Sequence, residues 1–232
     1  MNDLLMLTFA ELELVLALRP RNSAVLRGNL RLTGDDASSS ASLVRAGLAS
    51  LLARGLCETV GDAEESASAP TLPGLRFGPD ISVLLTALAA DDCVTTMAAG
   101  WCGERGSVVH VAGGGGARMA LFPVPFGRFK AEVLDAGEPV SALVQRFLFR
   151  HLAEGETSAL VATSVQGEWS VSAALAVDAS GRWSFSDSIR EPDHAVPVSR
   201  ERALQRITEV FDGRPYATAE TAEAIGPQSD PR

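Results

Sequence analysis

The sequence predicts one α+β domain spanning residues 1–232, with a central antiparallel sheet and helices packed on it. Three observations carry this. A proline-started apolar helix followed by three strand-like runs occurs twice, over residues 79–138 and 139–190. Within each copy the runs are joined by short glycine-containing links, which reverse the chain and pair neighbours antiparallel. The composition, 46% hydrophobic and 21% charged, is that of a globule able to bury a core without disulfides.

Taken in order, residues 1–60 form an N-terminal helical part. Thr8 to Leu18 reads as a helix, because Thr8 stands three residues before Glu11 at capping-box spacing. Leu12, Val15, Leu16 and Arg19 recur at helical intervals, and Pro20 closes the run. "SAVLRGNLRLTGDD" reads as a short strand and turn. Ala41 to Arg54 is a second helix, with Leu43, Ala46, Leu48, Leu51 and Leu52 on one broad face and Gly55 as terminator. "LCETV" leaves it as a strand, and residues 61–78 are expected to be a mobile loop with a small, acidic first part.

In the first copy, Pro79 starts a helix over Ile81 to Ala90, and three runs follow: Cys102 or Ser107 to Ala112, Ala117 to Phe122, and Arg128 to Leu134. In the second, Pro139 starts a helix over Val140 to Leu152, followed by Ser158 to Val165, Trp169 to Val177, and Arg182 to Ser188. Corresponding runs are offset by 51 to 54 residues, which suggests a pseudo-twofold duplication. A lone meander would expose an edge and an apolar face, and merging two into one sheet under helices removes both problems. A C-terminal helix lies within 199–213, and residues 214–232 form a frayed tail.

The residues that attract attention as chemistry have backbone explanations. A phosphate loop needs a helix, and for the Walker type Lys-Ser/Thr, after its glycines. After Gly113 to Gly116 comes "ARMALFPVPF", a strand, so the tetraglycine reads as a loose hairpin loop. No Gly-x-Ser-x-Gly elbow supports a Ser/His/Asp set. Asp91 and Asp92 read as a helix-end turn, His110 as a sheet-surface residue, Asp178 as a turn residue, and Trp101, Trp169 and Trp183 singly as core. Cys57, Cys93 and Cys102 fall at no metal-binding spacing and suit a reducing compartment. The reading is therefore a non-enzymatic chain with no catalytic residue, metal ligand or cofactor. The net charge of −9 argues against a nucleic-acid surface. The first 20 residues carry Asp3, Glu11 and Glu13 and no basic leader, so neither a signal peptide nor a membrane span is expected and the location is read as cytoplasmic.

Several stretches carry a resemblance. "LTFAELELVLAL", "LVRAGLASLLARGLCE", "ISVLLTALAADDCVT", "GSVVHVAGGGGARMALFPV" and "PVSALVQRFL" follow one another in an order similar to that of the EspG family, cytosolic chaperones of actinobacterial type VII (ESX) secretion. The likeness is one of pattern over most of residues 7–190. It implies a quasi-twofold antiparallel sheet with helical bundles, no cofactor, and a helical secreted partner of the PE/PPE or WxG type, bound at its tip. If a helical tip is bound, alternation on an open sheet points to Phe126, Phe129 and Trp169 as apolar contacts, and to Arg118 and Arg128 as partners for acidic groups. Unpaired sheet edges also invite a homodimer. Two other readings stand beside the chaperone: a small-molecule-binding or enzymatic α+β domain, and a winged-helix DNA-binding regulator, for which the helix 41–54 carries only Arg45 and Arg54.

Overall fold

The sheet is organised around one antiparallel pair of strands, Val94–Cys102 and Ser158–Gln166, which joins two meanders. The computed structural model describes residues 5–30, 37–60, 74–153, 155–187 and 195–212. In chain order these hold β1 (Leu5–Thr8), α1 (Phe9–Ala17), α2 (Pro20–Asn29), α3 (Ala37–Ala53), β2 (Cys57–Thr59), β3 (Leu75–Phe77), α4 (Pro79–Ala89) and β4 (Val94–Cys102). There follow β5 (Arg105–Gly114), β6 (Ala117–Val124), β7 (Arg128–Val133), α5 (Val140–Phe149), β8 (Ser158–Gln166), β9 (Trp169–Val177), β10 (Trp183–Ser186), β11 (Val196–Val198) and α6 (Arg200–Phe211). Nine strands form a wholly antiparallel sheet in the order β1-β7-β6-β5-β4-β8-β9-β10-β11, and β2 and β3 form a separate ribbon. The expected α+β class with helices on an antiparallel sheet is the one observed. No helix among the described residues is long and apolar enough to cross a membrane.

The meanders differ from the expected three-strand units. Each has four strands, β4 to β7 and β8 to β11, and β1 adds a ninth beyond β7. The strand missed in the first is β4, "VTTMAAGWC", whose Ala, Gly and Met are poor strand formers. It is a strand because β5 and β8 pair with it on both sides. In the second, β11 is "VPV", and Pro197 is tolerated because this is an edge. β1 was hidden because its partner, β7, lies about half the chain away. Pro20 does not simply close the first helix. It occupies the first turn of α2 (Pro20–Asn29), where a missing N–H costs nothing, so the expected strand and turn over residues 23–36 is helical as far as Asn29, and residues 31–36 lie outside the described residues. The expected loop 61–78 contains strand β3 at its end, while residues 61–73 and the tail from 213 lie outside the described residues.

Local signals elsewhere act as read. The Thr8 hydroxyl accepts the Glu11 N–H while the Glu11 carboxylate accepts the Thr8 N–H at 2.7 Å, a complete capping box. Gly55, at φ 66°, ends α3: its N–H reaches the Leu52 carbonyl at 3.0 Å and that of Leu56 reaches Leu51 at 2.9 Å.

Side-chain alternation divides the interior into two cores on opposite faces of the sheet. On one face Leu7, Ala112, Met119, Leu121, Phe129 and Ala131 pack against α1, α3 and α4. On the other, Ala98, Val109, Val111, Leu160, Ala162, Ala173, Leu175 and Phe185 pack against α5 and α6. A twofold between β4 and β8 that exchanges antiparallel neighbours keeps each face on its own side. The strand order obeys it, whereas α4 and α5 sit on opposite faces and do not.

The first core depends on close contact between α1 and α3. A Cβ at Gly47 would fall on the backbone carbonyl of Ala10, so only glycine lets the helices meet. Beside this crossing the fully buried Glu11 carboxylate also takes the Ser50 hydroxyl at 2.6 Å and Arg54 Nη1 at 2.7 Å. Burial pushes this carboxyl up, but the hydrogen bonds from Ser50, Thr8 and Arg54, with the Arg54 charge, outweigh it and hold the group below the usual range. Two outcomes follow for urea denaturation. Gly47→Val lowers stability by about 3 kcal/mol through overpacking. Glu11→Gln lowers it by about 2 kcal/mol at neutral pH by leaving Arg54 with a weaker acceptor, and that deficit shrinks as the pH falls through the carboxyl's own titration, where the wild-type advantage is lost.

Candidate functional site

The tetraglycine forms a tight β5–β6 hairpin. Gly115 and Gly116 take φ of 57° and 72°, the two-residue turn that suits the twist of the strands. The expected hairpin is present, but it is clamped where a loose loop was expected. A Cβ on Gly114 would lie 3.0 Å from the Ala87 carbonyl oxygen and the Cys93 Cα, so the end of α4 rests directly on glycine backbone. Asp92 fixes the turn by accepting the Gly115 N–H at 2.8 Å. A cleft of about 370 Å³ opens beside it, but Arg118, its nearby cation, directs its guanidinium at the carbonyls of Asp135 (3.2 Å) and Glu138. Strand β6, not a helix, follows the turn.

Among the described residues, half of one sheet face carries no helix. The helices α1 to α4 cover β1, β7, β6 and β5, and α5 and α6 cover the far side of β4, β8, β9 and β10. On the near side of those last strands the outward positions are Met97, Ala99 and Trp101 on β4, Ala159, Val161, Thr163 and Val165 on β8, and Ser172, Ala174 and Ala176 on β9. None of them joins either apolar core, and all remain half-buried or exposed. The surface is about 15 Å wide across four strands and about 30 Å long. Its side chains are small, so it is shallow and almost uncharged. Trp101, 43% exposed, lies at one end over Gly106, where a Cβ would stand 2.9 Å from the indole. A step bounds the surface on the helical side: Asn22 of α2 donates to the Leu88 (3.0 Å) and Ala90 (2.9 Å) carbonyls and locks α2 to the end of α4.

The five residues expected to bind a partner do not converge. Phe126 is 93% exposed in the β6–β7 turn, at φ 66°, an uncommon conformation for a residue with a Cβ. Arg128 is exposed beside it. Trp169, 60% exposed, begins β9 at the opposite end of the sheet. Arg118 lies at that same end, engaged as described. Phe129 is a correction: it is only 5% exposed and packs in the first core, because its neighbour Arg128 takes the outward position of β7. The reading of the tryptophans as core holds for Trp183, half-buried against the second core, and fails for Trp101 and Trp169. Trp101 is exposed because it takes an outward position on β4, a strand absent from the sequence expectation.

His110 is also a correction. It is buried at 2% exposure on β5, beneath the step, and its Nδ1 has no hydrogen-bond partner among the described residues. Burial lowers its pKa to about 4, so it is neutral at physiological pH. Asp178 is the turn residue expected: it accepts from the Ser180 hydroxyl (2.6 Å) and the Arg182 N–H (3.0 Å), which hold its carboxyl well below the usual range. The three cysteines are buried and free. Among the described residues no group of three or more His, Cys, Asp or Glu converges on a metal-sized site.

No protein-family model matches the chain, and no curated protein matches it. The functional reading therefore rests on the fold and the open sheet face.

His110 generates a pH prediction. Its folded pKa lies below the unfolded value near 6.5, so the unfolded chain takes up a proton that the folded chain refuses. Stability falls as the pH drops from 6.5 towards 4, by roughly 3 kcal/mol at most. Denaturant melts of His110→Leu across this range show a shallower slope than the parent.

Proposed function

We propose that the chain is a protein-binding module, a cytoplasmic chaperone similar to the EspG family, that receives the tip of a helical secreted protein. The open half of the sheet supports this reading. A helix is about 10–12 Å across, so the face accommodates one helix or the end of a helical pair. A shallow surface of Ala, Ser, Thr and Val admits close approach and asks the partner to supply the large side chains. Trp101 at the margin has the size and polar tip of an interface anchor. A protein with such a face gains from pairing it, because an uncovered apolar sheet is an aggregation hazard.

The test is co-expression with a helical PE–PPE-type pair. Val161→Arg and Ala174→Arg place charge at the centre of the face and reduce co-purification at least tenfold with little change in melting temperature, since neither residue belongs to a core. Trp101→Ala weakens capture several-fold. Undiminished capture by both arginine variants would overturn the assignment of the face. Retardation of random duplex at low salt, or a large thermal shift with a metabolite, would favour the other readings.

A further inference from the structure

On the covered side of the sheet, away from the open face, Ser107 and His151 meet. Ser107 Oγ lies 2.6 Å from His151 Nε2, and His151 Nδ1 lies 2.8 Å from the Phe147 carbonyl oxygen. A carbonyl only accepts, so Nδ1 carries the proton, and Nε2 presents its lone pair to the Ser107 hydroxyl. The arrangement has the order of nucleophile, base and orienting acceptor.

Three features build it. Ser107 and Gly100 are directly opposed on β5 and β4, and Gly100 is where the imidazole rests: a Cβ there would stand 2.8 Å from the His151 Cγ. His151 follows the C-terminus of α5, so both the Phe147 carbonyl and the negative end of the helix face the ring. The Phe147 carbonyl fixes the tautomer and orientation of the ring, one of the services the carboxylate performs in a triad. The Phe147 ring, 4.4 Å from the imidazole centroid, restrains it further. Ser107 itself is exposed, at the mouth of a cleft of about 330 Å³ that Arg105 and Arg150 also line. Arg105 holds Glu156 only loosely, at 3.7 Å, and is itself largely solvated, while Glu156 is about half exposed and also accepts from the Cys102 thiol at 3.2 Å.

We propose that this cleft is a nucleophilic-serine site that hydrolyses small carboxylic esters bearing a negative charge. Ser107 Oγ attacks the ester carbonyl carbon as its proton passes to His151 Nε2. The C–O bond to the alcohol breaks, and the leaving alkoxide takes that proton. Water, deprotonated by the same nitrogen, then cleaves the Ser107 ester, releasing the acid and restoring the serine hydroxyl. The Arg105 and Arg150 guanidinium groups supply the positive charge that favours an anionic substrate and counters the developing oxyanion.

The test uses the whole chain with a fluorophosphonate probe, mapped by mass spectrometry, and with p-nitrophenyl acetate and p-nitrophenyl hemisuccinate. The expected results are an adduct on Ser107, labelling about 100-fold slower in His151→Gln, no turnover by Ser107→Ala, and a preference of at least tenfold for the hemisuccinate that Arg150→Met abolishes. Should His151→Gln fail to fold, the Ser107→Cys variant decides: its thiol is alkylated by iodoacetamide well below pH 8 if His151 acts as base. The absence of an adduct on Ser107, labelling unchanged by His151→Gln, or an ordinary thiol profile in Ser107→Cys reduces the pair to a clasp holding α5 on the sheet. Ser107 and His151 lie behind the open face, so loss of this activity leaves partner capture intact, and the two proposals fail separately.

Discussion

The pairing of β4 with β8 is the constraint on which everything else depends. It joins two meanders that would otherwise each end in an unpaired edge, and its register decides which side chains face which helices. Thr95 opposes Val165 and Cys102 opposes Ser158, with every pair between in step. A slip of one residue would turn each inward side chain outward. The register is secured in the interior by a hydrogen bond of 2.7 Å between the Thr96 and Ser164 hydroxyls, both buried. A slip of two residues, which keeps both side chains inside, would bury both hydroxyls unpaired, at a cost of about 1–3 kcal/mol each.

From this register follow both candidate sites. With Ala98, Leu160 and Ala162 turned towards α5 and α6, the intervening Met97, Ala99, Ala159 and Val161 must turn the other way, where no described helix packs. With Gly100 on the α5 side and opposite Ser107, the end of α5 settles close enough for an imidazole to reach the serine. The diagonal placement of the helices, one group on each face, makes the open surface. Had α5 followed α4 onto the same face, as a strict twofold requires, that surface would be core.

Much of the local structure was legible because its causes lie within a few residues. The Thr8–Glu11 capping box, the Gly55 helix stop and the Gly115–Gly116 turn are decided by side chains and φ angles at their own positions. What escaped reading was set by distant partners. β4 is a weak strand former held by two neighbours, β1 pairs with a segment about half the chain away, and the buried state of His110 and Phe129 is imposed by α-helices whose placement no local pattern records.

The sequence by itself determined the α+β class, the antiparallel hairpins and the positions of most helices, because apolar periodicity and turn chemistry are short-range. Only the tertiary structure decided which face each helix covers, where the sheet remains open, and that Ser107 meets His151 across 44 residues. Those outcomes depend on strand register and on the space left by single glycines at 47, 100 and 114, which are properties of packed pairs of segments and not of either segment alone.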